Sequence, residues 1–449
     1  MSTITVLAPT GSLGYGFDVE ALKRGMTFKP DVIAVDSGST DPGPHYLGSG
    51  EFLVSRFSYK RELSELIKAS RAAGIPLVVG SAGGSGSRPQ VDRMLDIVRE
   101  IAREERLNRT KVAWIYADID RDRIKRAIKD NEIQDFEAGY ALSDELVDQS
   151  THIVAQMGHE PIVEALEAGA DIVIAGRACD DGAIAAYPIM RGADPGLAIH
   201  MGKILECGAF SAVPFAMDVM LGILNEGHFD LEPGSINRRA SLTSVAAHTL
   251  YERENPIYQP GPGYAVDLSQ CTFEQINERQ VRVAGARYMP QGEHWVKLEG
   301  ARRIGYRSIS IAGIRCPTMI RRIDGILEDA RQEALRYFSP QPITVTYHVY
   351  GRDGVMRELE PQRAISAQEL GLVIDVVAAD QELAHAACHH ISGGLLHVSY
   401  PGQKNTAGNL AFPYSPSELA AGPAYAFSAY HLMRAQSPTE LFKTHYEEL

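Results

Sequence analysis

Short apolar runs alternate with amphipathic segments along the first 200 residues, and glycine- or acid-rich turns separate them. The segment 89–106 places Val91, Leu95, Val98 and Ala102 at the three- and four-residue spacings of one helix face. The apolar runs have the length of strands buried on both faces and lie at 3–7, 31–36, 75–79, 111–117, 151–156 and 170–175. This alternation predicts βαβ units, and therefore an α/β fold with a mostly parallel sheet flanked by helices.

The pattern changes after residue 196. The unusually apolar stretch 196–227 is predicted to be helical, whereas segments between 272 and 316 alternate apolar with polar residues, as antiparallel strands do. A predicted helix at about 319–337 is followed by the proline-rich sequence at 339–342. We therefore expect an α/β domain over residues 1–340 and a smaller α+β domain over residues 341–449.

Composition and charge narrow the range of partners. Hydrophobic residues make up 45% of the chain, charged residues 22%, and the formal net charge is −13. An acidic surface does not attract phosphate backbones, so nucleic acid is not expected as a partner. No signal peptide and no membrane-spanning stretch is predicted, and the five scattered cysteines are typical of reduced thiols. We expect a cytoplasmic protein.

Polar residues follow the predicted strands at the ends where parallel sheets bind ligands. They are Ser12, Asp36, Ser37, Ser81, His159, Arg177 and Asp180. Because the carboxyl ends of parallel strands meet at one edge, the sequence predicts a pocket there. Each residue also has a structural interpretation, since Asp and Ser commonly cap helices and stabilise turns.

The loop from Gly80 to Gly86 is the strongest candidate for binding an anion. It stands between a buried strand and a helix, where backbone N–H groups can hold a carboxylate or phosphate. We expect Ser81, Gly83, Gly84 and Ser85 to contribute, with Arg88 and Arg177 as bidentate clamps. The alternative is a flexible turn beside a surface arginine.

No motif requires a cofactor. The loop at 80–86 lacks the G-K-[ST] ending of a nucleotide triphosphate site, and the loop at 11–16 reads G-x-x-G-x-G rather than G-x-G-x-x-G. A divalent metal is an alternative, because Asp36, Asp41 and His159 offer ligand types that metals accept. The spacing of Asp36, Asp41 and His45 in their shared loop matches no standard metal motif.

Proton transfer is the chemistry that the remaining candidates suggest. His159 follows a strand directly and is a plausible general base near neutral pH, and Asp36 and Asp180 supply carboxyl groups at neighbouring strand ends. A serine, a histidine and an acid are all present, but no G-x-S-x-G nucleophile elbow accompanies them.

Four strings of residues resemble the acyclic terpene utilisation (AtuA) family. They are GSLGYGFDVEALKRG, AVDSGSTDPGPHYLGSG, VGSAGGSGSRPQVD and ADIVIAGRACDDGA, and the resemblance covers most of the first 340 residues. It implies a bacterial catabolic protein associated with the breakdown of branched terpenoid acids through CoA thioesters, or with other carboxylic-acid pathways. It assigns no catalytic residue.

These observations together predict a lyase of the hydratase or dehydratase type that acts on a small carboxylic acid or its acyl-CoA thioester. His159, Asp36 and Asp180 are the expected proton donors and acceptors. An accessory binding subunit of a larger enzyme and a metal-dependent hydrolase are the alternatives. We expect a small anionic substrate and a homo-oligomer, with a second small subunit as a further option.

Overall fold

The structure is a computed structural model that describes residues 3–362, 364, 366–404 and 408–449. Contacts between residues divide the chain into two compact units, one formed by Met1–Arg302 with Phe427–Leu449 and the other by Arg303–Ala426. This division differs from the predicted boundary at 340, because the helix before the proline-rich sequence belongs to the second unit and the last residues return to the first. No helix in the described ranges is long and apolar enough to cross a membrane.

Strands and helices are numbered in chain order. The strands are β1 (Ile4–Ala8), β2 (Val32–Asp36), β3 (Leu77–Gly80), β4 (Lys111–Ile115), β5 (Ile133–Asp135), β6 (Ser150–Ala155), β7 (Ile172–Ala175), β8 (Ala212–Val213), β9 (Met220–Asn225), β10 (His228–Pro233), β11 (Arg239–Ala240), β12 (Tyr258–Gly261), β13 (Tyr264–Asp267), β14 (Thr272–Gln275), β15 (Val281–Ala284), β16 (Arg287–Pro290), β17 (His294–Ile314), β18 (Ile343–Tyr350), β19 (Leu370–Ala378), β20 (Glu418–Ala435) and β21 (Thr444–Glu448). The helices are α1 (Val19–Met26), α2 (Pro44–Ser49), α3 (Arg56–Ala73), α4 (Arg88–Glu104), α5 (Arg121–Lys129), α6 (Asp144–Gln149), α7 (Glu160–Glu167), α8 (Asp180–Met190), α9 (Pro195–Leu205), α10 (Leu242–Thr249), α11 (Pro317–Ile320), α12 (Ile323–Phe338) and α13 (Gln381–His397).

The main sheet of the first unit is mixed, which corrects the expectation of a mostly parallel sheet. Its described strands lie in the order β14-β15-β10-β9-β1-β2-β3-β7-β4-β21. The strands from β1 to β4 in this order run parallel, as the βαβ pattern predicts. Antiparallel strands extend the sheet on both sides, with β9 paired to β1 and β21 paired to β4.

The parallel strands are apolar throughout because both faces of the sheet are covered. Alternate residues of β2, such as Val32 and Ala34, belong to one core cluster, and Ile33 and Val35 belong to the other. Helices α3 and α4 contribute to the second cluster, and α7, α8 and α9 contribute to the first. Because successive side chains of a strand point to opposite faces of the sheet, each of these strands contributes residues to both core clusters.

The apolar stretch 196–227 is helical only at its beginning. Helix α9 ends at Leu205, and Met220–Asn225 forms strand β9 instead of continuing a helix. A short apolar run has the same composition in a buried helix and in a buried strand, so periodicity alone does not separate the two. The antiparallel strands predicted between 272 and 316 are confirmed, since β14 pairs with β15 and residues 306–314 of β17 pair with β19 in antiparallel register.

The second unit is a small α+β structure. Strand β19 pairs antiparallel with β18 on one side and with β17 on the other. Helices α11, α12 and α13 bury Met319, Ile323, Leu327, Ala387 and Ile391 in the core cluster to which these strands contribute. The helices thus cover the apolar face of the sheet, whose polar residues alternate to the other side.

The glycine loop after β3 is locked against the residues that follow β7. Gly86 has a φ of +66°, its carbonyl accepts a hydrogen bond from the Arg177 amide, and an added Cβ would collide with that amide nitrogen. Gly74 has the same φ of +66° at the end of α3, but open space surrounds its Cβ position.

We predict that Gly86→Ala destabilises the protein more than Gly74→Ala does. The left-handed backbone alone costs about 1 kcal/mol at either position, and the collision at residue 86 adds about 2 kcal/mol. Urea denaturation of the two variants and the parent chain measures the difference. Equal losses of unfolding free energy would show that the loop has room at residue 86.

Candidate active site

Three neighbouring parallel strands bring polar side chains to one edge of the main sheet. Asp36 is the last residue of β2, Ser81 follows β3, and Arg177 follows β7. Because these strands are adjacent in the sheet, their carboxyl ends lie side by side. The structure thus brings together residues that are more than 140 positions apart in sequence, as the pattern of strand ends predicts.

Arg177 is at the centre of this group. Its side chain is 3% exposed, and its Nε donates to Glu299 Oε2 at 2.7 Å. Its Nη1 donates to Ser81 Oγ at 3.1 Å, to Asp180 Oδ1 at 2.9 Å and to the carbonyl of Ala178 at 2.8 Å. Nη2 makes no hydrogen bond to the described residues, so it is the guanidinium nitrogen that a further anion can use.

Glu299 anchors the guanidinium from strand β17. Its Oε1 accepts from Lys297 Nζ at 2.8 Å and from Thr40 Oγ1 at 2.9 Å. Burial by itself would raise the pKa of Glu299, but the charges of Arg177 and Lys297 outweigh it and hold this pKa at about 2. Glu299 is not among the residues predicted from the sequence. A local signal for it exists, because Lys297 and Glu299 are two positions apart and therefore share one face of β17, whose other face is buried.

Asp36 is in the opposite electrostatic situation. It is 7% exposed, its Oδ2 accepts from the Gly38 amide at 2.9 Å, and its buried Oδ1 has no partner among the described groups. Burial and the nearby Asp180 carboxyl raise the pKa of Asp36 well above its usual value, and the attraction of Arg177 only partly opposes them. Asp36 therefore retains its proton far more readily than an exposed aspartate.

Lys203 of helix α9 and Glu206, which directly follows the helix, lie near this group. Lys203 Nζ is paired with Glu206, whose side chain is buried. Burial and the Asp180 and Asp181 carboxyl groups raise the pKa of Glu206 to about 8, against the pull of Lys203. The pKa of Asp180 is also raised by burial, although Arg177 and Lys203 oppose the shift. Glu206 therefore retains its proton at neutral pH, and burial shifts the pKa of Asp180 in the same direction.

His159 and Glu160 form a second buried pair at the beginning of α7. The His159 Nδ1 atom lies 3.8 Å from Glu160 Oε2, and neither atom has a hydrogen-bond partner in the described part of the chain. Burial lowers the pKa of His159 to about 4 and raises the pKa of Glu160 to about 7. The imidazole is consequently neutral at pH 7, and the carboxyl group is close to half ionised.

Tyr264 lies near His159 and also bonds to Asp181, the chain neighbour of Asp180. Its ring centroid lies 5.8 Å from that of His159, and its hydroxyl donates to Asp181 Oδ1 at 3.3 Å. Asp181 also accepts a hydrogen bond from the side chain of Gln259. Cys179 precedes these aspartates, and burial raises the pKa of its thiol well above the usual value. A thiol in this environment is a poor nucleophile.

The glycine loop is buried, and several of its amides have partners within the protein. The Ser81 amide donates to the carbonyl of Gly176, the Gly83 amide to Ser37 Oγ and the Gly84 amide to the carbonyl of Ser81. Added Cβ atoms on Gly83 and Gly84 would lie 2.7 Å from Phe52 and 2.6 Å from Leu53. In this structure the loop is therefore a packed support for Arg177, and these amides do not form the open anion cradle that the sequence suggested.

Other predicted residues have different surroundings. Arg88 is exposed and its guanidinium lies 3.7 Å from the ring centroid of Tyr116, so it does not face the glycine loop as a clamp. Ser85 Oγ donates to Gln90 Oε1 at 2.8 Å, and Ser12 Oγ is buried without a described partner. Asp41 is exposed and accepts from Ser39 Oγ at 2.7 Å.

The loop at 11–16 is also held by the protein itself. The Gly14 and Gly16 amides donate to the carboxylate of Glu62 at 2.6 and 2.8 Å. A carboxylate from α3 thus occupies the amides that a dinucleotide phosphate would need. Among the described residues, no group of three or more His, Cys, Asp or Glu side chains is arranged to hold a metal ion.

The chain matches a protein-family model over most of its length. The family model of the acyclic terpene utilisation family protein AtuA matches residues 57–414, a span that includes Ser81, His159, Arg177, Asp180 and Glu299. No curated protein and no solved structure matches the chain.

We predict that Glu160→Gln stabilises the protein at pH 8 and has little effect at pH 4. The native pKa of about 7 lies above the usual 4.5, so the native state binds more protons than the unfolded state between these values. The parent chain therefore loses stability relative to the variant as pH rises from 4.5 to 7, and the difference is constant above that range. Unfolding free energies measured at several pH values test this.

The exposed Glu167, at the other end of α7, provides the matched control. Glu167→Gln should give a stability difference from the parent chain that does not grow between pH 4.5 and 7. The same pH dependence in both variants would contradict the assigned burial effect.

Proposed function

Because the chain belongs to the acyclic terpene utilisation (AtuA) family, we propose that it is a catabolic lyase of the hydratase or dehydratase type. Its substrate is a small carboxylic acid or the acyl-CoA thioester of one. The observation that carries the proposal is the buried, proton-retaining carboxyl group of Asp36 beside the Arg177 guanidinium. An acid held protonated next to an anion-binding group suits the loss or gain of water beside a carboxylate or thioester.

The reaction needs two proton transfers. In the dehydration direction, a base removes the proton α to the carbonyl, the electron pair forms the new double bond, and the β-hydroxyl leaves as water after it receives a proton. Asp36, which retains its proton, is the donor to the leaving hydroxyl. His159 is neutral at pH 7 and accepts the α-proton. Hydration runs through the same steps in reverse.

Arg177 stabilises the negative charge that develops on the substrate. Nη2 is the nitrogen without a described partner, and it donates to the carboxylate or thioester oxygen in this mechanism. Asp180 and Glu299 are positioning residues, because they bind the guanidinium through Nη1 and Nε and fix its plane. A guanidinium that is already oriented loses little further conformational entropy when the substrate binds.

The same hydrogen bonds favour a second candidate, an accessory binding subunit of a larger catabolic enzyme. Arg177 already has Ser81, Asp180 and Glu299 as partners, as a structural arginine does. In that case the purified chain has no turnover alone, and activity appears when its partner polypeptide is added.

We predict that Asp36→Asn lowers kcat by about 100- to 10,000-fold, the range that general acid catalysis contributes. The amide keeps the shape of the side chain but cannot donate the proton of a carboxylic acid. Turnover of a panel of unsaturated acids, hydroxy acids and their CoA esters is the measurement. His159→Gln should lower kcat within the same range.

Asp31→Asn is the matched control, because Asp31 lies at the opposite end of β2. Its Oδ2 accepts from the Thr5 amide at 2.8 Å, a bond that an asparagine oxygen can also make. It should leave kcat unchanged. If the parent chain turns over a substrate of the panel and Asp36→Asn and His159→Gln do so equally well, the proposed roles are wrong.

A further inference from the structure

A cavity in the second unit carries chemistry that the proposed reaction does not use. It has a volume of about 450 Å³ and lies along strand β18, beside helix α12 and the chain that follows the strand. The chain folds back here, since the amides of Asp353 and Gly354 donate to the carbonyl of Val349 at 3.2 and 2.9 Å. Its polar lining consists of Arg331, Thr346, Tyr347, His348, Arg352, Asp353, Arg357 and Glu358.

Two polar atoms of this lining are buried without a partner. Arg331 Nε and the Tyr347 hydroxyl make no hydrogen bond to the described residues, and the Arg331 guanidinium lies 5.3 Å from the centroid of the Tyr347 ring. A buried hydrogen-bond donor without an acceptor is unfavourable, because it has lost its hydrogen bonds to water. Two such donors on one cavity wall therefore indicate that an acceptor from outside the chain completes their hydrogen bonding.

Two of the three arginines that line the cavity form ion pairs with carboxylates of the described residues. Arg352 is paired with Asp353 at 2.8 Å and with Asp324. Arg331 is paired with Glu328 at 3.4 Å. Arg357, in contrast, forms no ion pair within the described ranges.

Arg357 has a histidine as its neighbour instead. Its Nη2 donates to His348 Nδ1 at 3.3 Å, so this nitrogen carries no proton. The proton of the neutral ring is therefore on Nε2. The cavity thus offers N–H and O–H donors from Arg331, Tyr347, His348 and Arg357, and the Arg357 guanidinium forms no ion pair with a carboxylate of the described residues, although Glu358 also lines the cavity.

We propose that this cavity binds the phosphate group of a small organic phosphate. Guanidinium groups bind phosphate through paired N–H bonds, and a phosphate has three peripheral oxygens to accept bonds from the several donors of the lining. A carboxylate has two oxygens and satisfies fewer of them. A volume of about 450 Å³ exceeds what a bare phosphate needs and lies within the range of small-molecule sites. This site is independent of the reaction proposed for the first unit.

Isothermal titration calorimetry on the full-length protein tests the proposal by measuring its affinity for four separate probes: glycerol 3-phosphate, AMP, inorganic phosphate and acetate. We expect saturable binding of glycerol 3-phosphate or AMP that is tighter than binding of inorganic phosphate, and no binding of acetate. Arg357→Gln should weaken binding about 10- to 100-fold, the size of a hydrogen bond between charged groups. Arg336→Gln, an exposed arginine on the same α12, should leave binding unchanged.

Tyr347→Phe separates ligand binding from a structural role. The change removes the unpartnered hydroxyl and keeps the ring, so the thermal stability of the free protein should be unchanged or higher while the affinity for the organic phosphate falls. Retained affinity in both Tyr347→Phe and Arg357→Gln overturns the proposal. So does acetate binding as tightly as the phosphates, or inorganic phosphate binding as tightly as both organic probes.

Discussion

The ion pair between Arg177 and Glu299 is the interaction on which the arrangement of the site depends. Both side chains are buried, and a buried charge without its partner costs several kcal/mol. Breaking such a pair by removing one partner typically destabilises a protein by about 3–5 kcal/mol. The guanidinium can therefore take only positions in which the carboxylate of β17 reaches Nε while Ser81 and Asp180 reach Nη1. This requirement ties three segments of the first unit to one point at the sheet edge.

The same pair explains why neighbouring carboxyl groups titrate so differently. Glu299 lies between the charges of Arg177 and Lys297, so attraction exceeds the penalty of burial and its pKa falls. Asp36 and Glu206 are also buried, but each has another carboxyl group nearby. Most of the hydrogen bonds of Arg177 go to Ser81, Ala178, Asp180 and Glu299. Burial then dominates and their pKa values rise. The carboxyl groups of this cluster consequently differ in pKa because they differ in the number of cations and of other carboxyl groups around them.

The sequence predicts the parallel part of the sheet and the meeting of its strand ends, because apolar runs and turn residues are local signals. Strand β9 was predicted as part of a helix, because a short apolar run is compatible with either a buried helix or a buried strand. Glu299 could not be placed beside Arg177 from the sequence, because that contact joins residues 122 positions apart and no local pattern encodes it. The boundary at 340 rested on a proline-rich sequence, whereas the compact units follow the contacts of strands, including the return of Phe427–Leu449 to the first unit. The roles of His159, Asp36 and Asp180 stay predictions.

The glycine loop has a packing role that its position in the sequence did not indicate. Glycines between a strand and a helix suggested free amides for a ligand, but Phe52 and Leu53 pack so closely on residues 83 and 84 that side chains there would not fit. The amides of Ser81 and Ala82 bond to the carbonyls of Gly176 and Ala175, next to Arg177. Because Gly83 and Gly84 have no side chains, the loop can pack closely and support the backbone that carries Arg177. The glycines of this loop therefore help to determine where the Arg177 guanidinium lies, and the binding of an anion by Arg177 stays a prediction.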